Sequence, residues 1–211
     1  METLIPYAVF EIAGFTITNT VINTWIGMGL LVAGLLIVKA TSPGTLDQLY
    51  EMLENLIRGL VNTDTISRYM PFLGTLIIFI FISNNLSFLP GLGSPSQDIN
   101  TPITLALLVF VAVHYFGIRE KGLIRYAKDS ATPLVTFPFE IIGQISRTVS
   151  LSIRLFGNVI STELVVVIIS QLVPIGAPII MIALSLLTGT LQAYIFTALA
   201  GSYISSAIQS E

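Results

Sequence analysis

The chain has no cysteine, a single histidine, a single tryptophan and few charges: 9 Lys/Arg and 12 Asp/Glu in 211 residues, for a formal net charge of −3. Each shortage excludes something. Without cysteine there is no disulfide scaffold and no thiolate chemistry. A slightly negative balance with no basic run excludes a nucleic-acid binder. Charged residues make up 10 % of the chain, against about 25 % in soluble domains, too few to cover a water-facing surface. The first 38 residues hold no Lys or Arg, so the basic start of a cleavable signal is missing and none is expected. No G-x-x-x-x-G-K-S/T loop and no H-E-x-x-H motif occur, so neither nucleotide chemistry nor zinc hydrolysis is expected of this chain.

What is present is apolar length. Hydrophobic types make up 54 % of the residues. A helix needs roughly 20 apolar residues to cross a hydrocarbon core of about 30 Å. The runs are continuous rather than alternating, which favours helices over barrel strands. The expectation is an all-α polytopic membrane protein forming one membrane domain over 1–211. Spans are predicted over 21–40, 69–90 and 102–118. Two longer helices follow, over 134–171 and 177–208, broken near Pro174, Gly176 and Pro178. Each exceeds a bilayer thickness, so the pair must tilt, as a hairpin that follows some other surface inside the membrane. Between the first two spans, over 45–62, Leu46, Leu49, Tyr50, Leu53, Leu56, Ile57 and Leu60 repeat at helical spacing. Asp47, Glu51, Glu54, Asn55 and Arg58 oppose them, which describes an amphipathic surface helix.

The basic residues orient the chain. Lys39, Arg58 and Arg68 lie between spans one and two, and Arg119, Lys121, Arg125 and Lys128 follow span three. The positive-inside rule makes both segments cytoplasmic, with the N-terminus and the loop holding Asp98 outside, and the C-terminus inside. Trp25, Tyr7 and Tyr203 read as interfacial anchors, and His114 as an ordinary interface histidine.

Four charges remain, all in the first long helix: Glu140, Arg147, Arg154 and Glu163. A charge at mid-membrane costs at least about 2.5–3.5 kcal/mol, so it faces protein or water and marks a transport path by default. Glu140, Arg147 and Arg154 are spaced by seven and share a face that drifts slowly. Ser150 and Asn158 flank Arg154 by four on either side. Glu163 lies nine residues past Arg154, half a turn round, so the two serve different surroundings. Arg147 also fits a side chain snorkelling to the interface.

At these residues the sequence resembles a known family. SLSIRLFGN (150–158) resembles the signature of the a subunit of F-type ATP synthases, the stator half of the membrane ion channel. ITNTVINTW, NNLSFLPG, PSQDINTPITLAL, PFEIIGQISRTVS and TLQAYIF resemble the family elsewhere, in the right order over most of the chain. The resemblance implies a long tilted hairpin curved against a ring of c subunits, held by peripheral-stalk b subunits within the rest of the synthase and the lipid bilayer, with no nucleic acid, cofactor or metal. It implies that Arg154 is the essential arginine and that Asn158 and Gln192 are polar groups near it. By the same likeness, Glu163 belongs to the half-channel open to the outside and Glu140 lies near the cytoplasmic exit. Asp98 and Asn100 match polar residues at the outer entrance. Ser185 departs from the pattern, since some members carry a titratable histidine there. The implied role is an ion-translocating stator that exchanges protons with ring carboxylates and couples their flow to rotation and ATP synthesis. It has no catalytic site of its own and sits in an energy-coupling membrane, such as the bacterial inner membrane. The alternative is the same role in a sodium-coupled enzyme. A secondary transporter would show inverted repeats, and these unequal segments show none.

Overall fold

The computed structural model describes residues 8–12, 15–59, 68–89, 92–123, 125–126, 137–173 and 176–209. Tyr7, Lys128, the end of the expected surface helix at 60–62 and the start of the first long helix at 134–136 lie outside them.

Among the described residues the fold is carried by helices α1 (Asn19–Thr41), α2 (Pro43–Arg58), α3 (Met70–Asn85), α4 (Asn100–Lys121), α5 (Phe137–Leu172) and α6 (Ala177–Gln209). Five helical segments are long and apolar enough to cross a membrane, α2 being the exception. The protein is an all-α polytopic membrane protein with one small addition. Strands β1 (Ala8–Ile12) and β2 (Phe15–Thr18) form an antiparallel ribbon ahead of α1. The sequence reading left this segment unassigned. Val, Ile, Phe and Thr are dense in AVFEI and FTIT, and only Ala13 and Gly14 separate them, which is a hairpin pattern too short to show clear periodicity.

Packing among the spans is uneven. Helix α6 is the centre and touches α3, α4 and α5. Its inner edge is Ala193, Phe196, Ala200 and Ile204, at spacings of three and four. Leu151, Leu155 and Val159 of α5 meet it from one side, and Leu73, Leu76, Ile77 and Ile80 of α3 belong to the same core. Between helices in lipid, apolar burial gains little, because the tails are as apolar as leucine; close packing and hydrogen bonds across helices hold them together. Two asparagines supply such bonds here. Asn84 Nδ2 donates to the carbonyl of Gly189 at 3.2 Å, and Asn158 Nδ2 donates to that of Thr188 at 3.3 Å. Helices α3 and α5 are thereby tied to adjacent residues of α6. Glycine at 189 permits the approach: a Cβ there would sit 3.3 Å from both Asn84 Cβ and Asn85 Oδ1.

Helix α1 stands mostly apart. Thr20, Asn23 and Gly27 are its buried seam, while Trp25, Met28, Leu30, Val32, Leu36 and Ile37 face outward. Polar ties hold its start. Thr20 Oγ1 donates to Asp98 Oδ2 at 2.9 Å, and Asn23 Nδ2 donates to the Gly93 carbonyl at 3.1 Å. At the opposite end of the bundle, Arg68 pairs with Glu120, and the Tyr69 hydroxyl donates to the same carboxylate at 3.1 Å. Burial, reinforced by Glu120, pushes the Tyr69 hydroxyl up to about 12, so it stays protonated and donating. The Tyr69 and Phe116 rings meet edge-on at 5.0 Å. Helix α2 is amphipathic as expected. Its buried Ile57, with Leu53 and Leu56 beside it, packs onto this end of the core, and Glu54 pairs with Arg58 one turn on.

Candidate functional site

The long helix α5 carries Glu140, Arg147, Arg154 and Glu163, and the structure sorts them into three surroundings.

Near its far end, Glu163 lines a pocket of about 210 Å³. The remaining polar walls come from three other segments: Asn84, Asn85 and Ser87 at the end of α3, Gln97 in the turn before α4, and Ser185 on α6. The Ser87 hydroxyl lies within reach of the Glu163 carboxylate. A narrow crevice joined to the same residues continues past Asn158, Thr162 and Thr188. Two buried oxygens here, Glu163 Oε1 and Asn84 Oδ1, accept no hydrogen bond from a described residue.

Near its start, Glu140 and Arg147 line a second pocket of about 330 Å³, with Tyr126, Gln144, Thr148, Tyr203 and Ser206. Gln144 donates to Glu140 at 3.4 Å. The Arg147 guanidinium lies 5.5 Å over the Tyr203 ring, a cation–π stack. Tyr203 is half-buried and serves Arg147 as an aromatic platform, a pairing the sequence spacing does not show. Burial, and secondarily the nearby Glu140 charge, raises the Tyr126 hydroxyl above its usual range. His114 stands beside this ring, with Nδ1 2.8 Å from the Phe110 carbonyl of its own helix.

Arg154 is in neither pocket. It projects from the exposed face of α5, and among the described residues nothing pairs with it. Glu140 and Glu163 are 23 residues apart, about 34 Å along a helix, and Arg154 stands between them. The face around it is built of small side chains. Gly143, Ser146, Ser150, Gly157 and Ser161 recur with Arg154 at spacings of three and four, and a Cβ at Gly143 or Gly157 would meet nothing within 4 Å. The sequence reading did not notice this stripe, although its spacing is visible in the letters. It lets another helix come close, a recurring device of membrane helix pairs.

The other expected residues distribute as follows. Asn158 braces α5 to α6, and Ser185 faces Glu163. Gln192 is buried on α6, with Nε2 engaging no acceptor. Asp98 and Asn100 do not line the Glu163 pocket. Asp98 is buried, accepting from Thr20 through Oδ2 and from both the Asn100 backbone and side-chain nitrogens through Oδ1, at 3.0 and 2.8 Å. It secures the start of α4, where a carboxylate also suits the helix dipole. The polar wall instead comes from Asn84, Asn85, Ser87 and Gln97, which the sequence reading passed over. The signal was the uncharged polar run SNN at the end of an apolar span. No three His, Cys, Asp or Glu side chains gather into a metal site among the described residues.

Known proteins similar to this chain point to a family. A family described as ATP synthase A chain matches residues 16–205. ATP synthase subunit a 2 of Bradyrhizobium sp. is 39 % identical over 208 residues, covering 95 % of this chain and 93 % of that protein. ATP synthase subunit a 1 of Chlorobaculum parvum is 40 % identical over 205 residues, covering 92 % and 91 %. ATP synthase subunit a 2 of Acaryochloris marina is 39 % identical over 204 residues, covering 92 % and 87 %.

Proposed function

Because the chain belongs to the ATP synthase A chain family, we propose that it is the ion-conducting stator subunit of a rotary F-type synthase, with Arg154 as the fixed charge that its rotor passes. One observation carries this reading: an arginine with no partner among the described residues, on an uncovered small-residue face, between two separate polar pockets.

The physical logic is short. A rotor carboxylate facing lipid must be neutral, because a bare carboxylate in a low-dielectric medium is very costly. Opposite Arg154 it ionises, since the guanidinium favours the charged form and cannot itself release a proton. Arg154 thus takes the ion off each arriving site and blocks a direct leak between the pockets. The Glu163 pocket is the half-channel to the outside, and the Glu140–Arg147 pocket is the half-channel to the cytoplasm. Their offset along α5 forces each ion to ride the ring. One charge crossing 100 mV supplies about 2.3 kcal/mol, and several per turn accumulate enough to drive ATP synthesis elsewhere in the complex. The basic segments place the N-terminus outside and the C-terminus in the cytoplasm of a bacterial inner membrane. The c ring and the peripheral-stalk b subunits are the partners. Protons are the coupling ion in this account, and a sodium-coupled enzyme would use the same parts.

The absence of native cysteine makes the interface testable. Single cysteines replacing Ser150 or Ser161 should form disulfides with cysteines on the ring's outer helices under mild oxidation, whereas one replacing the buried Leu155 should not. Equal cross-linking from all three would remove this face as the rotor surface.

A further inference from the structure

Helix α1 buries three residues, Thr20, Asn23 and Gly27, at spacings of three and four along one seam. Each meets a residue that lines the Glu163 pocket or adjoins one that does. Thr20 Oγ1 donates to Asp98, the residue after Gln97, and Asn23 Nδ2 donates to the carbonyl of Gly93. A Cβ on Gly27 would lie 3.5 Å from Leu86 Cδ2, the residue before Ser87. Gly93, Gln97 and Ser87 line the pocket, while no described residue of α1 does. The turn 93–98 is itself deeply set. Ser94 and Ser96 are fully buried, Ser94 Oγ donates to the Ser83 carbonyl at 2.8 Å, and the short helix Pro95–Gln97 touches α1, α3, α4 and α5.

We propose that Thr20 and Asn23 are positioning residues for the Glu163 pocket: through them α1 holds the turn 93–98, and with it Gly93 and Gln97, in place as one wall. The inference rests on the outer half-channel reading and adds α1 to the parts that shape that path. Packing in lipid does not by itself call for these two side chains. Small or apolar residues pack helices closely in a bilayer, and a buried hydroxyl or amide is favourable there only when it is bonded. Both acceptors that α1 reaches are buried. Asp98 Oδ1 is already engaged by the two Asn100 nitrogens, so Oδ2 is the oxygen that reaches across to α1. Removing either donor leaves a buried oxygen of the turn unmet, which favours displacement of the turn toward water. Beyond Gly27 no residue of α1 is buried, so its hold on the bundle is concentrated beside this pocket.

The test uses the whole synthase in lipid nanodiscs, which leave both faces open to reagent. Ser87→Cys places a thiol in the Glu163 pocket and Ser206→Cys places one in the Glu140–Arg147 pocket, in a subunit with no native cysteine. Each is labelled with a small charged methanethiosulfonate, with and without Thr20→Val, which keeps the side-chain shape and removes the donor. Opening of the turn then becomes easier, so labelling at position 87 is expected to rise about fivefold or more, while labelling at position 206 stays the same. Thr20→Ser, which keeps the hydroxyl, should return position 87 to its starting rate. If Thr20→Val does not assemble, Asn23→Leu serves in its place. In proteoliposomes without the added cysteines, the same variant should lower proton-driven ATP synthesis by about threefold or more. Unchanged labelling at position 87 would overturn the positioning role, and so would an equal rise at both positions, which is general loosening. A rise at position 87 with ATP synthesis unchanged would overturn it too, because the wall would then have no bearing on transport. Synthesis indifferent to Arg154→Ala would overturn the functional reading itself, whatever the labelling shows.

Discussion

A guanidinium without a partner is costly to hold in a bilayer, and among the described residues nothing engages Arg154. Arg147, seven residues earlier, lies over Tyr203 instead, and Glu163 lies in a polar pocket. The contrast separates residues that the fold satisfies from the one it leaves for a partner. Glu163→Gln keeps the shape of the pocket and removes its only charge. The expected outcome is ATP-driven vesicle acidification slowed about tenfold, roughly 1.4 kcal/mol of barrier, with ATP hydrolysis still coupled to pumping. An unchanged rate would make Glu163 a structural residue. At this scale the sequence is most legible where charge is scarce: each ionisable group in an apolar run stands out against an uncharged background, and spacing alone puts half a turn of helix between Arg154 and Glu163. The neutral partners were not legible. Asn84, Asn85, Ser87 and Gln97 come from two segments and carry no charge, so only folding shows that they meet Glu163. Asp98, which the family likeness matches to an entrance residue, is bonded to Thr20 and Asn100, ties between distant and neighbouring residues that spacing does not show.

Among elements, two glycines set distances that matter to the pockets. Gly189 lets α3 lie against α6 with the Asn84 bond intact. Gly189→Leu should overpack that contact and destabilise the subunit by about 1–3 kcal/mol, read as a lower melting temperature of the assembled complex and loss of the Glu163-side pathway. Gly117 receives the Tyr126 ring, and a Cβ there would fall 2.5 Å from Tyr126 Cε2. Gly117→Leu should therefore push Tyr126 out of the Glu140–Arg147 pocket and slow pumping, while the smaller Gly117→Ala has the milder effect because a ring edge can shift. If Gly117→Leu pumped as the unchanged protein does, Tyr126 would have no part in that pathway. Helix α4 ends at Gly122, whose φ of +82° suits glycine, and Gly176, with φ of +86°, precedes α6. The long helices were legible because apolar length needs no tertiary information, and α2 because its two faces differ in chemistry. The β1–β2 ribbon was not, since nine strand residues give too few periods to register.

For the molecule as a whole, two pockets open at different ends of one long helix, and between them Arg154, without a partner among the described residues, stands on an exposed small-residue face. This arrangement cannot be obtained from any single motif. It requires α6 to sit at the centre, so that α5 is held on one side and keeps the other free. The proposed stator role rests on this geometry together with the family membership. The direct test is ATP-driven ion pumping by the reconstituted complex carrying Arg154→Lys. Lysine keeps a positive charge but is a flexible point charge that gives up its proton when desolvated. The account predicts that coupled pumping falls on the order of a hundredfold or more, the scale seen when a preorganised charge is removed from a site where charge develops, in a complex that still assembles. Normal pumping with normal coupling in that variant would contradict it.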